Sequence, residues 1–156
     1  MTDEKKKEFT RRLSQCNKSE MIVITYDIFY TYIEEAMELH NKDYAGYRRA
    51  VKKADEAVRE LQQTLDFKYD LAKQLYGLYR YTREQLALAI ALNQVKKLDQ
   101  AKRVMDKLYD AWSQIAKEDD SQPVMQHTQQ VYAGYTYGKN SLNEACTSEN
   151  SRGFFV

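Results

Sequence analysis

Apolar positions along this chain recur in steps of three and four over most of its length, the signature of amphipathic helices. The stretch from Leu65 to Leu86 organises the rest. It enters through an Asp66-Phe67 corner and carries Leu71, Leu75, Leu78, Thr82, Leu86 and Ala89 at helical spacing, which predicts a helix continuing to about Leu92. Tyr76, Tyr79 and Tyr81 lie partly off that stripe, so this segment has more aromatic surface than one seam requires. The segment before it has the cleanest period, with Tyr44, Tyr47, Val51, Ala54, Val58, Leu61 and Leu65 on one face and Arg48, Lys52, Lys53, Asp55, Arg59 and Gln63 opposite. Two helices joined by so short a link run antiparallel.

Upstream, Asn17 is placed to cap a helix and Glu20 to complete a capping box. From Met21 to Ile33 that helix is apolar nearly all round, so it has to be covered on several sides and belongs at the centre of a bundle. Beyond Glu34 it turns amphipathic, and it stops at Asn41-Lys42-Asp43. After Asn93-Gln94, a last helix carries Leu98, Ala101, Met105, Leu108, Trp112 and Ile115. The expected fold is all-α: an antiparallel up-down four-helix bundle over residues 17–117, with a mobile segment at 1–16 that becomes helical near Phe9. An irregular tail is expected over 118–156, because Pro123 ends helical structure. Val131, Ala133, Tyr135 and Tyr137 alternate there with Tyr132, Gly134 and Thr136, but glycines and poor polar contrast argue against a strand. The tail is either mobile or docked on the bundle through Tyr132, Tyr135 and Tyr137.

Composition narrows the function classes. At 156 residues, 43% hydrophobic and 30% charged, the chain suffices for one globular domain. A net charge of +1 without a basic stripe gives no reason to expect nucleic acid. The start, MTDEKKKEFTRRL, lacks the apolar run of a signal peptide, and no stretch approaches the ~20 apolar residues of a membrane span. A cytosolic protein with Cys16 and Cys146 as free thiols is expected. His40 and His127 are the only histidines, and neither follows a Glu by three positions, as a di-metal bundle site requires. No CxxC, HExxH, phosphate-cradling glycine loop or Gly-x-Ser-x-Gly occurs. Neither catalysis, nor a metal, nor a cofactor is expected.

Three segments carry a resemblance. Thr64-Leu65-Asp66-Phe67 is followed by Leu71-Ala72, Leu75, Leu78-Tyr79-Arg80-Tyr81 and Arg83 to Leu86. Asp110-Ala111-Trp112-Ser113-Gln114-Ile115 lies downstream, and Asn17-Lys18-Ser19-Glu20-Met21 leads into Tyr26-Asp27. In order and spacing these residues resemble the flagellar secretion chaperone family (FliS) over roughly residues 15 to 116. Two departures stand out: Asp27-Ile28 where members usually carry Asp-Gly, and Lys68-Tyr69-Asp70 where they commonly carry a glycine pair.

The resemblance implies a client, the disordered C-terminal helical segment of flagellin, held in the cytoplasm against premature polymerisation and handed to the flagellar type III export gate. It also implies that the N-terminal segment lies over the client groove, which makes Phe9 and Leu13 candidate self-plug residues. Candidate client contacts are Ile22, Tyr26, Phe29 and Ile33 in the first bundle helix, Tyr76 and Tyr79 in the third, and Leu98 and Met105 in the fourth. Leu71, Leu75, Leu78, Val51, Val58 and Trp112 are assigned to the core. Tyr79→Asp is therefore expected to weaken client binding and spare helicity, and loss of fold would move Tyr79 to the core. The free protein is expected as a monomer or weak homodimer. Two other classes stay open: a bundle that self-associates through its apolar stripe, and an enzyme with an unfamiliar polar pocket.

Overall fold

Short turns between long amphipathic helices dictate the topology. The computed structural model describes residues 1–125, so His127, Tyr132, Tyr135, Tyr137 and Cys146 lie outside the described residues. The helices are α1 (Asp3–Gln15), α2 (Lys18–Leu39), α3 (Tyr44–Gln63), α4 (Asp70–Leu92) and α5 (Val95–Glu118). Helices α2 to α5 form the antiparallel bundle, in which α2 packs on α3 and α5 while α4 packs on the same two from the opposite corner. The all-α bundle read from the sequence is the observed architecture.

Each end of α2 follows from local chemistry. Asn17 accepts from the Glu20 amide at 2.9 Å while the Glu20 carboxylate accepts from the Asn17 amide at 2.9 Å, the reciprocal capping box. The far end terminates at Asn41, whose φ of 66° is tolerated because Asn bonds locally in the left-handed region. Asn93, at φ 51°, closes the turn between α4 and α5 in the same way. His40 Nε2 lies 3.0 Å from the Asn93 carbonyl, tying these two turns together at one end of the bundle. Between α3 and α4 no positive φ is used. Asp66 accepts from the Lys68 amide through its side chain at 3.0 Å and from the Tyr69 amide through its carbonyl at 3.2 Å, so the turn closes without a glycine.

The core is built around α2. Tyr26, Phe29, Ile33 and Ala36 of α2 meet Tyr47, Val51, Val58 and Leu61 of α3, Leu75, Tyr79 and Leu86 of α4, and Leu98, Ala101 and Met105 of α5. Two phenols meet at its centre, where the Tyr26 and Tyr79 hydroxyls lie 2.7 Å apart. Burial, which disfavours the phenolate, pushes both phenols above their ordinary pKa. At the other end of the bundle, Asn17 Nδ2 donates to the Asp119 carbonyl at 3.0 Å, and the Val124 amide donates to the Cys16 carbonyl at 3.0 Å. The end of α5 is thereby fastened to the start of α2.

Tyr79→Phe should lower stability by about 1–3 kcal/mol, because it strands the Tyr26 hydroxyl in the core, and thermal melts read it directly. Tyr79→Asp should abolish cooperative unfolding altogether. Hydrogen bonds from Ser121 and Ser19 hold the Asp119 carboxyl down at about 2. A folded value below the unfolded one stabilises above the ordinary aspartate range and is lost as pH falls through about 2. NMR titration should therefore place the Asp119 midpoint near that value, and Ser19→Ala should raise it.

Candidate partner-binding site

Helix α4 carries two apolar stripes, one residue apart. The inward stripe is Ala72, Leu75, Tyr79, Thr82, Leu86 and Ala89, all buried. The second is Leu71, Gln74, Leu78, Tyr81, Gln85, Leu88 and Leu92, again in alternating steps of three and four. Its leucines and Tyr81 are between 39% and 62% exposed. A shift of one residue rotates a helix face by about 100°, so these stripes look in different directions. The opposite flank of the inward stripe, with Tyr76, Arg80, Arg83, Ala87 and Ile90, lines a cleft shared with α3. The leucine stripe therefore faces the α5 side.

Helix α5 answers it. Lys102 lies over the Tyr30 ring, at 5.4 Å, and Tyr109 donates to Asp27 at 3.0 Å, so this flank of α5 faces α2. The flank turned the other way, towards α4, carries Val104, Leu108, Ala111 and Ile115, of which Ile115 is 47% exposed. Together the two flanks make an open apolar groove along the α4–α5 seam. It is roughly 34 Å long, the length of a helix of 23 residues.

All eight residues predicted to contact a client lie outside this groove, Tyr76 on the α3–α4 cleft and the other seven in the core. Ile22, Tyr26, Phe29, Ile33, Tyr79, Leu98 and Met105 sit in the closed core, and only Tyr76 is exposed. Ile22 is 7% exposed and the other six 1% or less, whereas Leu71, Leu78, Leu88 and Leu92 along the α4–α5 groove are open to a partner. The core assignment holds for Leu75, Val51 and Val58, and Trp112 packs half-buried against the core. It fails for Leu71 and Leu78, which point outward because Ala72 and Tyr79 occupy the inward positions one residue later. The signal for the second stripe was present as the seven-residue spacing of Leu71, Leu78, Gln85 and Leu92.

Phe9 and Leu13 are half-buried on α1, a helix without a single buried residue that lies along α2. Polar ties hold it there. The N-terminal ammonium pairs with Glu35, and Arg12 Nη2 lies 2.6 Å from Asp27 Oδ2, on the carboxylate that also accepts from Tyr109. The α3–α4 cleft, about 450 Å³, is closed in charge: Arg83 grips Asp55 at 2.7 and 3.0 Å and Gln62 at 3.0 Å. Among the described residues no cluster of three or more His, Cys, Asp or Glu could hold a metal, and no helix is long and apolar enough to cross a membrane.

The sequence matches the family described as "Flagellar protein FliS" over residues 1–119, which takes in all five helices. No curated protein matches the chain. Because α1 is held by ion pairs over little buried surface, Arg12→Ala should speed amide hydrogen exchange across residues 3–15. Protection in α2 to α5 should be unchanged, as hydrogen-exchange mass spectrometry would read.

Proposed function

The chain belongs to the FliS family of flagellar export chaperones, whose client is flagellin, and from that premise we propose that the α4–α5 groove holds flagellin's C-terminal helical segment. The observation that supports this reading is the leucine stripe of α4, which repeats every seven residues and has no partner helix among the described residues. An amphipathic segment that is disordered alone gains a dry face by lying in such a groove. Removing roughly 500 Å² of apolar surface from water at ~25 cal/mol per Å² supplies about 12 kcal/mol gross. Ordering the client subtracts roughly 2–5 kcal/mol, and lost rigid-body freedom subtracts more. What remains suits a carrier that has to let go.

In this reading the protein works in the bacterial cytoplasm by binding and release, without catalysis. A client helix seated in the groove is unavailable for filament contacts, so premature polymerisation is blocked until the complex reaches the flagellar type III export gate. Phe9 and Leu13 act on the other side of the bundle, where α1 is a removable plug over α2. Its polar anchoring supports that role, since ion pairs of partly exposed groups are weak enough to exchange for client contacts.

Calorimetry and native mass spectrometry with the C-terminal segment of the host's flagellin should give a complex of one chain to one client. Leu78→Asp should weaken it by about a hundredfold or more with far-UV helicity intact, because it sets a charge in a face that the client desolvates. Lys73→Ala, on the solvent face, should change nothing. Sedimentation decides the rival reading: a homodimer that persists with excess flagellin segment would assign the stripe to self-association.

A further inference from the structure

Of the three glutamines along the groove, Gln74, Gln85 and Gln100, the last two form a pair. Gln85 stands in the leucine stripe of α4, seven residues from Leu78 and seven from Leu92, and is only 8% exposed. Gln100 lies on the flank of α5 that faces α4. One precedes the Asn93 turn by eight residues and the other follows it by seven, so in an antiparallel pair they stand at nearly the same height. The Oε1 atom of each is closed off from solvent and has no hydrogen-bond partner among the described residues. Buried carbonyl oxygens without partners are rare in folded proteins, because the atom loses its water and gains nothing in return. Among the described residues four buried side-chain atoms lack a partner, Tyr30 Oη, Ser113 Oγ and these two, and the two glutamines stand on the facing flanks of the α4–α5 groove.

We propose that Gln85 and Gln100 form a polar notch that sets the register of the client helix, resting on the reading of the groove given above. An uninterrupted leucine stripe accepts an amphipathic helix equally well after a slide of one heptad, since every seventh position looks alike. A single polar pair breaks that degeneracy, as a lone polar residue in a coiled-coil seam does. In the correct register the client brings a hydrogen-bond donor (an amide, hydroxyl or guanidinium side chain) to the notch. The terminal torsion of a glutamine is broad, so the carbonyl turns to meet it readily. In any slipped register a client leucine faces the two carbonyls, the hydrogen bond is not made, and binding is weaker than in the correct register. The notch therefore assigns the client a chemistry: a helix whose apolar stripe carries one polar donor near its middle.

A double-mutant cycle tests this. The C-terminal segment of the host's flagellin is made with each polar residue of its apolar stripe replaced in turn by Leu, and each version is titrated into the full chain and into Gln85→Leu. One client position should cost about tenfold in affinity with the unmodified chain and nothing with Gln85→Leu. Benzoylphenylalanine placed at position 107, on the rim of the groove, should crosslink to one short client segment in the unmodified chain and to segments seven residues apart in Gln85→Leu. Melting temperatures should stay equal or rise, since an apolar side chain suits this seam; Gln85→Met and Gln100→Leu serve should Gln85→Leu fold poorly. A stoichiometric complex in which no client position couples to either glutamine, or whose crosslink stays single in the variants, overturns the notch and leaves the groove. Absence of any complex with the unmodified chain overturns the groove itself.

Discussion

One helix cannot bury two faces in the same bundle, and α4 has two to bury. Its stripes are a residue apart, so when Ala72, Leu75, Tyr79, Thr82, Leu86 and Ala89 turn inward, Leu71, Leu78, Leu88 and Leu92 are carried to the surface. Rotating α4 to sink the leucines would bring up Tyr79, whose hydroxyl is bonded to Tyr26 at the centre of the core. That bond, buried on both sides, fixes the rotation. The exposed leucines are thus a consequence of how the core is satisfied.

Much of the bundle was legible in the sequence because α3 and α5 each present one dominant face and the ends of α2 carry clear capping signals. The capping box at Asn17, the seam through Val51 and Val58, and the link at Asp66 all read correctly for simple reasons of hydrogen bonding and periodicity. In α4 the reading slipped. Leu71 and Leu78 outrank Ala72 and Thr82 on any hydropathy measure, so Leu71, Leu75, Leu78 and Thr82 were joined into one stripe that mixes the two real ones. Packing follows shape as well as apolarity: Ala72 and Ala89 allow α4 to approach its neighbours closely, and Thr82 meets its own need by donating to the Leu78 carbonyl at 3.0 Å. Small residues at inward positions mark that face as surely as large ones.

The apolar run of α2 is spent within the chain. A helix oily on all sides has to be covered, and α3 and α5 cover two sides of it while α1 lies along a third. Ile22, Tyr26, Phe29 and Ile33 are consumed by the fold itself. Surplus apolarity in a sequence shows only that something covers it. Neighbours within the chain have the first claim, because they are held at high effective concentration while a partner has to diffuse in.

An exposed leucine stripe is a hazard, and the way it is broken up shows how a carrier lives with it. A seam of unbroken leucines would pair with a second copy of itself as readily as with a client. Gln74 and Gln85 take two of its seven positions, and Tyr81 adds a hydroxyl at a third. Each interruption lowers the gain from pairing two like stripes, where amide would meet leucine, and costs less against a client whose own polar groups fall opposite. In the proposed complex the same interruptions cap the affinity for that client. A chaperone for export binds a chain only so that another machine can take it away, and a groove less than fully apolar meets both demands with the same few residues.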